Sequence, residues 1–392
     1  MGHIITGGKA TAIVYGDYPD ASETGQIYAL LDSPAHKGCA IRIMPDHHAG
    51  KGCVIGFTSP LNMEKLMIIP ALVGVDIGCG VQSINLKGFL PAKVVSRLPE
   101  FDKYLRKNVP AGFNGLDRPS KRREWLYKWW NGHGSDWDSF EADLENLAAR
   151  VGTDAGKVWC SCGSLGGGNH FVEIGQGTDD ALWLTVHSGS RNFGLRVAEF
   201  HQKNAVKRMG RRNGLEWLKG DEAASYLRDM RLAQKFAMLN RLVMLDVLAD
   251  FYDLKLRDVE MITSVHNYIG DDGIIRKGAI SANLDESVII PWNMQSGLIL
   301  GKGLGNPDWN NSAPHGAGRT MSRSAAKQTL SMDDFRKGMQ DAGVWSSCVS
   351  KDTLDEAPMA YKDPASIEAY IASTVEIVNR LRPIYNFKAG KD

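Results

Sequence analysis

Short apolar runs bounded by glycine, asparagine and proline recur along this chain more often than long helical repeats. Runs of about four to eight apolar or β-branched residues between turn signals predict strands. Such runs fall at 11–15, 40–44, 53–57, 66–69, 81–86, 158–162, 181–186, 261–265, 273–280, 287–290 and 298–300. Apolar residues at three- and four-residue spacing predict helices at 92–107, 136–151, 331–342 and 364–381, with a short tail after the last. A larger helical block spans about 195–257, and its second half, 222–256, is long and amphipathic. Residues 1–45 read as short strands and turns, 108–135 as irregular, and 44–52 and 301–319 as polar loops. Val73 and Val75 read as the end of a buried strand. Strands and helices mix without βαβ regularity, repeat or low-complexity linker, so the pattern predicts one α+β domain over residues 1–392.

Composition narrows the class. Hydrophobic residues make up 43% of the 392 and charged residues 23%, which is ordinary for a water-soluble domain. Lys+Arg is 46 against Asp+Glu 45, so any nucleic-acid site must be a local patch. The N-terminus carries no signal-peptide pattern, and no apolar run is long enough to span a membrane, so the expected location is cytoplasmic. The six cysteines, Cys39, Cys53, Cys79, Cys160, Cys162 and Cys348, then read as free or metal-bound thiols. Cys160-Ser161-Cys162 reads as two thiols on opposite faces of a strand. Arg118, Lys121, Arg122, Arg123 and Lys128 interleave with Trp125, Tyr127, Trp129 and Trp130. That pattern suits phosphates and bases, or equally an amphipathic helix packing its Trp face. A second basic cluster comprises Lys203, Lys207, Arg208, Arg211 and Arg212.

The chemistry concentrates at strand ends. Asp76 and Cys79 sit three residues apart among Gly74, Gly78 and Gly80. One hard and one soft donor suit a transition metal. Four histidines, His170, His187, His266 and His315, are each delivered by an apolar run into a Gly-, Ser- or Asn-rich turn. Any one of them alone is best read as a satisfied core histidine. Taken with Asp76 and Cys79, they are better explained by a shared metal site. Six candidates exceed the four ligands of a structural zinc site and lack paired Cys-x-x-Cys spacing. Two metals, or one metal plus a histidine with a separate task, fit the count. Gly166–Asn169 and Gly316–Gly318 offer unobstructed backbone N–H groups, and Lys51, Arg191, Arg319 and Arg323 offer charge. Together they point to phosphoryl transfer.

Eight motifs in order make the chain recognisable: Met-Pro-Asp-x-His-x-Gly-Lys-Gly at 44–52, Val-Gly-Val-Asp-Ile-Gly-Cys-Gly at 73–80, Gly-Gly-Asn-His-Phe-x-Glu at 167–173, His-Ser-Gly-Ser-Arg at 187–191, His-Asn-Tyr at 266–268, Arg-Lys-Gly-Ala at 276–279, His-Gly-Ala-Gly-Arg-x-Met-Ser-Arg at 315–323 and Ala-Tyr-Lys-Asp at 360–363. From about residue 40 onward the chain resembles the RtcB family of RNA ligases. The resemblance implies an α+β, RtcB-like fold of mixed sheets with surrounding helices and a central dinuclear metal site. It implies joining of RNA 2′,3′-cyclic phosphate or 3′-phosphate ends to 5′-hydroxyl ends, with GTP and two Mn²⁺, through a guanylylated histidine and an RNA(3′)pp(5′)G intermediate. The RNA would be tRNA or rRNA fragments, with room for an activating protein and no membrane partner.

Carried over by motif, Asp76, Cys79 and His170 would hold one Mn²⁺, and Cys79 would bridge to a second held by His187 and His266. His315 would be the nucleophile, on an exposed loop, with Asp46 orienting it or the attacking hydroxyl. The nucleotide would meet Asn169, His170, Phe171, Val172, Glu173, His266, Asn267, Pro291, Trp292, Asn293, Met294, Leu298, His315, Gly316, Ala317, Gly318, Tyr361 and Lys388. The chain departs from the family where Pro-Gly-Ser-Met-Gly is usual and Pro291-Trp292-Asn293-Met294-Gln295 stands instead, where Leu298 replaces a serine unless Ser296 takes its part, and where His47 replaces a common valine. These departures predict looser discrimination among triphosphates and a branch specialised for one damaged RNA. A dinuclear phosphodiesterase or cyclic-phosphate hydrolase without ligation is the alternative, and a non-catalytic RNA-binding protein a third reading. GTP-dependent joining separates the first two.

Overall fold

The computed structural model describes residues 2–62, 65–134, 136–210 and 213–390. Two large sheets frame it. A seven-stranded antiparallel sheet runs, from one edge to the other, Met261–Val265, Gly80–Asn85, Leu182–Ser188, Phe171–Gln176, Val375–Lys388, Leu298–Gly303 and Ser287–Pro291. A six-stranded sheet runs His3–Thr6, Thr11–Val14, Ala40–His48, Ile55–Pro60, Ile274–Lys277 and Asn267–Ile269, with one parallel pair, Thr11–Val14 against Ala40–His48. The chain passes from the first sheet to the second through His266, which lies between Met261–Val265 and Asn267–Ile269. The α+β expectation is met.

The long helix Asp221–Ala249 supplies the core behind the seven-stranded sheet. Its Phe236, Leu239, Leu242 and Val243 share one buried cluster with Val172, Ile174, Leu184 and Val186 of the sheet. Each such side chain, taken from water, contributes about 1.5–3 kcal/mol. The helix is buried along most of its length, which accounts for its near-continuous apolar second half. A smaller cluster of Ile280, Ile290, Ile299, Ala313, Ile367 and Val375 supports the strand Ser312–Pro314 that leads to His315. No helix among the described residues is long and apolar enough to cross a membrane.

Several sequence expectations are corrected. Segment 158–162 is not a strand: the helix Ala155–Ser161 covers most of it, with the Asp154 side chain accepting from the Lys157 N–H as its N-cap. The Cys160 and Cys162 thiols therefore do not flank a strand. Only Pro364–Ile371 of the segment 364–381 is helical, and the next element is the 14-residue strand Val375–Lys388 in the sheet interior. Segment 44–52 is not all loop, because the strand Ala40–His48 runs through it and buries Asp46 and His47. Val73 comes after the short 3-10 turn Pro70–Leu72, and Val75 is exposed. Residues 1–45 also contain the helix Ala21–Leu31, opened by an Asp20/Glu23 capping box. Within 108–135, Arg123–Gly132 is the amphipathic helix, with Leu126 and Trp130 buried. Of the basic cluster near 203–212, Arg211 and Arg212 lie outside the described residues.

Candidate active site and metal centre

The strand register gathers five donors. His187 sits in the strand Leu182–Ser188, paired across to Phe171 on one side and Val81 on the other. That places His170, which precedes Phe171, and Cys79, which precedes Gly80, beside it. Cys79 Sγ lies 3.4 Å from His170 Nε2 and 3.3 Å from His187 Nε2. His187 Nε2 lies 3.3 Å from His266 Nε2, and His170 Nε2 lies 3.0 Å from Asp76 Oδ2. These donors form two triads that share the sulfur: Asp76–Cys79–His170 and Cys79–His187–His266. Donors bound at about 2.1 Å in a tetrahedral set lie about 3.4 Å apart, so both triads have the spacing of ligands around an ion. The Leu165 carbonyl accepts from His170 Nδ1 at 2.8 Å, which turns Nε2 toward the centre.

The loops are pinned from behind by two adjacent residues of the long helix. Asn240 Oδ1 accepts from the Gly163 and Ser164 N–H groups, and its Nδ2 donates to the Ser164 and Gly189 carbonyls and to Ser188 Oγ. Arg241 Nη1 donates to the Gly78 and Ser188 carbonyls, 2.8 Å each. Gly189 is required where it stands, since any Cβ there would strike Asp76 Oδ1.

Burial, reinforced by neighbouring imidazoles, drives His187 and His266 well below the ordinary histidine value, so both are neutral donors. Burial raises Asp76, but the hydrogen bond and charge of His170 outweigh it and hold the carboxyl at about 2. Burial and the Asp76 charge push the Cys79 thiol well up. A cation shared between the triads would reverse that and favour the thiolate.

His315 stands next to this centre, its ring 4.9 Å from that of His266. It comes directly after the strand Ser312–Pro314 and is partly buried, not freely exposed as expected. The buried Asp46 carboxylate accepts from His315 Nδ1 at 2.7 Å and from the His315 N–H at 3.2 Å. The tautomer this selects carries its proton on Nδ1 and leaves the Nε2 lone pair free.

A cavity of about 210 Å³ opens beside His315. Of the residues expected at a nucleotide, Asn169, Phe171, Glu173, Pro291, Trp292, Asn293, Met294, Gly316, Ala317, Gly318, Tyr361 and Lys388 line it together with His315. Five others do not. His170 and His266 belong to the donor triads, and Asn267 braces the Asp76–Cys79 turn by donating to the Asp76 carbonyl and accepting from the Gly78 N–H. Val172 and Leu298 face buried apolar clusters. Sequence reasoning gave no role to His48 or Asn386, which also line the cavity, nor to Glu356 behind it. His48 lay within the 44–52 motif; Glu356 has no local signal at all.

The cavity wall is polar and heavily cross-braced. Glu356 accepts from Lys388 Nζ at 2.9 Å and Tyr361 OH at 2.5 Å, and pairs with Arg323 at 3.0 Å. Lys388 Nζ also donates to the Asn169 carbonyl. Glu173 Oε2 accepts from Asn386 Nδ2 at 2.8 Å, whereas Glu173 Oε1 and Asn386 Oδ1 have no partner. Burial pushes the Glu173 carboxyl up to about 8. Burial likewise lowers His48 to about 4.

A second cavity, about 580 Å³, reaches the donor set from Asp76 and His170 and is also lined by Arg191, Lys157 and Phe113. The two cavities thus meet the metal-type centre through different ligands.

Comparison with known proteins covers the stretch of chain that holds these residues. A family model described as tRNA-splicing ligase RtcB matches residues 30–389. The chain is 32% identical over 372 residues to the RNA-splicing ligase RtcB1 of Escherichia coli strain ATCC 25922, covering 88% of each. It is 27% identical over 419 residues to the tRNA-splicing ligase RtcB of Thermococcus kodakarensis, covering 87% of this chain and 86% of that one. Similarity to the tRNA-splicing ligase RtcB of Aeropyrum pernix is 27% over 458 residues, covering 96% and 94%.

Proposed function

The chain belongs to the RtcB family of RNA-splicing ligases, and from that premise we propose that it joins an RNA 2′,3′-cyclic phosphate or 3′-phosphate end to a 5′-hydroxyl end, using GTP and Mn²⁺. The observation that carries this reading is the His315–Asp46 pair, which suits a nucleophile and its orienting carboxylate, beside two triads of metal-type donors. A hydrolase could use such a pair as a general base, so covalent guanylylation of His315 is what separates the two readings.

The donor set fits a metal pair. One carboxylate, one thiol and three imidazoles lie in two sulfur-sharing triads, and among the described residues no Lys or Arg side chain is bonded to any of the five. Asp76, Cys79 and His170 would hold one Mn²⁺ and Cys79, His187 and His266 the other. Bound there, the ions would supply Lewis-acid stabilisation of charge on phosphate oxygens.

The chain's own residues do the rest. His315 Nε2 attacks the α-phosphorus of GTP; a P–N bond forms and the bond to pyrophosphate breaks. Asp46, holding the Nδ1 proton, stabilises the positive charge that develops on the ring. The RNA 3′-phosphate then attacks the same phosphorus, the P–N bond breaks, and RNA(3′)pp(5′)G forms. The 5′-hydroxyl finally displaces GMP. A cyclic end takes up one water first, to open to the 3′-phosphate. Gly316–Gly318, Arg319 and Arg323 line this cavity, and their backbone N–H groups and positive charge would favour a phosphate there. The unpartnered Asn386 Oδ1, beside a Glu173 carboxyl held neutral, favours a base edge with N–H donors. Guanine offers more of these than adenine. With Leu298 directed into the core, part of the ground for loose triphosphate selectivity is gone. Six free thiols suit a reducing compartment such as the cytoplasm.

The test is incubation with GTP, Mn²⁺ and a cleaved tRNA stem-loop. Wild type should join it, and His315→Ala should keep Mn²⁺, form no covalent guanylate, and still seal RNA supplied with a 3′-pp-5′-G end. The adduct should be acid-labile and alkali-stable, as a phosphoramidate is. Ligation intact in His315→Ala, or RNA cleavage without joining in the wild type, overturns the mechanism in favour of the hydrolase.

A further inference from the structure

Phe113 is 93% exposed, more than any other large apolar side chain among the described residues. A loop tip normally avoids such a residue, and mobility does not account for it, because the loop is pinned at both ends. The Leu165 N–H donates to the Pro110 carbonyl at 2.8 Å, and the Gly112 N–H to the Gly166 carbonyl at 3.0 Å. Arg191 Nη2 donates to the Gly112 carbonyl at 2.7 Å, and the Leu116 N–H to the Cys160 carbonyl at 2.8 Å. Gly112, at φ +68°, takes the left-handed turn that precedes the ring. The ring is thus presented from a loop tied to the segment that leads to the metal ligand His170.

Phe113 also lines the 580 Å³ cavity that reaches Asp76 and His170, in company with Arg191, Lys157 and Val75. An aromatic face, two cations and a path to the reacting centre are the parts of a single-stranded nucleic-acid subsite. In-line displacement requires nucleophile and leaving group on opposite sides of the phosphorus. GMP leaves into the cavity of His315, so the attacking hydroxyl must come from elsewhere, and this is the cavity that meets the same centre through other ligands.

Resting on the ligase reading of the site, we propose that Phe113 is the stacking platform for the first base of the 5′-hydroxyl RNA strand. It is a specificity residue of the sealing step: it touches the base, not the reacting atoms. Because every base has a π-face, it recognises that a base is present at the terminal nucleoside, without regard to its identity.

The experiment uses the full chain as wild type, Phe113→Ala and Phe113→Trp. The substrates are an RNA ending in 3′-pp-5′-G and a short 5′-hydroxyl oligonucleotide, intact or abasic at its first position. Phe113→Ala should raise the KM for the 5′-hydroxyl strand about tenfold with kcat little changed, and leave the rate of His315 guanylylation alone. Phe113→Trp should restore the KM. The abasic strand should raise the wild-type KM by the same factor and raise that of Phe113→Ala no further. An unchanged KM in Phe113→Ala, multiplying effects of the two changes, or sensitivity to an abasic site on the 3′ strand instead would overturn the proposal. Trp fluorescence of Phe113→Trp gives a readout independent of sealing: quenching by the intact oligonucleotide and not by the abasic one is expected, and equal quenching by both refutes stacking. If no variant seals but quenching discriminates the two strands, the ligase reading has failed and the base-binding site stands.

Discussion

Replacing Asp46 with Asn separates charge from shape at the centre of the proposed mechanism. Asp46 is fully buried, and its backbone packs against Gly318 with no room for a Cβ between them. An Asn amide therefore occupies the carboxylate's place. Its oxygen takes the Oδ2 position, where the His315 Nδ1–H donates at 2.7 Å. Its NH₂ takes the Oδ1 position, which has no partner to lose. What the variant removes is the negative charge that stabilises the imidazole ring as it turns cationic on attacking phosphorus. A hydrogen bond of that length to an ionised group contributes about 1.5–3 kcal/mol. At about 1.4 kcal/mol per decade, guanylylation should slow about 10- to 150-fold. The assay is single-turnover formation of the acid-labile adduct from labelled GTP. Mn²⁺ content and sealing of a 3′-pp-5′-G strand should be unaffected, since Asp46 belongs to neither donor triad. A guanylylation rate within about threefold of wild type, or loss of Mn²⁺, would refute the reasoning.

The donor geometry and the buried acid each set a further outcome. Cys79→Ala should abolish binding at both metal positions together, because its sulfur belongs to both triads; metal analysis that finds full occupancy in this variant removes the bridging role. Glu173 is a carboxyl raised by burial to about 8 from an unfolded value of 4.5, so its neutral form is the one the fold favours. Its contribution to stability is full below pH 4.5 and is lost, at about 1.4 kcal/mol per unit, as pH rises through about 8. Glu173→Gln, neutral throughout, should match wild type near pH 4.5 and melt progressively higher than it toward pH 8 in the absence of GTP and Mn²⁺; parallel Tm profiles would contradict this.

The elements legible in the sequence are those whose partners show as local pattern. Met261–Val265 and Leu182–Ser188 are apolar runs ending at a histidine, and both are strands. The interior strand Val375–Lys388 was not legible: buried on both faces over its second half, it has no alternation there, and its first residues carry on the apolar spacing of Pro364–Ile371. Its loss from the sequence reading hid Asn386 altogether and left Lys388 without a structural reason. The polar run at 44–52 looked like a loop because the partners that make it burial-competent are far away. His47 bonds Glu23 in the helix Ala21–Leu31, and Asp46 bonds His315 from 269 residues along the chain. For 158–162, β-branched and aromatic content outweighed a cap signal that was present, since Asp154 stands at the N-cap of a helix. The metal-type donors were legible because each sits at the end of an apolar run or in a glycine-rich turn; the second layer that aims them, Asn240, Arg241 and the Leu165 carbonyl, leaves no such mark.

That second layer also bears on how charge is distributed at the centre. Arg241 is fully buried, and burial lowers it only to about 10, so it stays a cation. It forms no ion pair with a carboxylate and bonds only two carbonyls, with Nε and Nη2 unpartnered. A lone buried guanidinium is costly unless negative charge lies near, and the nearest are Asp76 and Cys79, whose turn Arg241 holds through the Gly78 carbonyl. Two divalent ions on the donor triads would outweigh the charges of Asp76 and a Cys79 thiolate, and Arg241 adds to that excess. On the cavity side, Glu356 answers Arg319, Arg323 and Lys388 together, Asp355 is shared by Arg323 and Lys327, and Glu173 is held neutral near pH 7, so the wall is positive as well. The excess positive charge therefore runs from the donor triads to the wall of the His315 cavity. Only a ligand that brings its own negative charge there, as a triphosphate and an RNA 3′-phosphate both do, completes the electrostatics of the site.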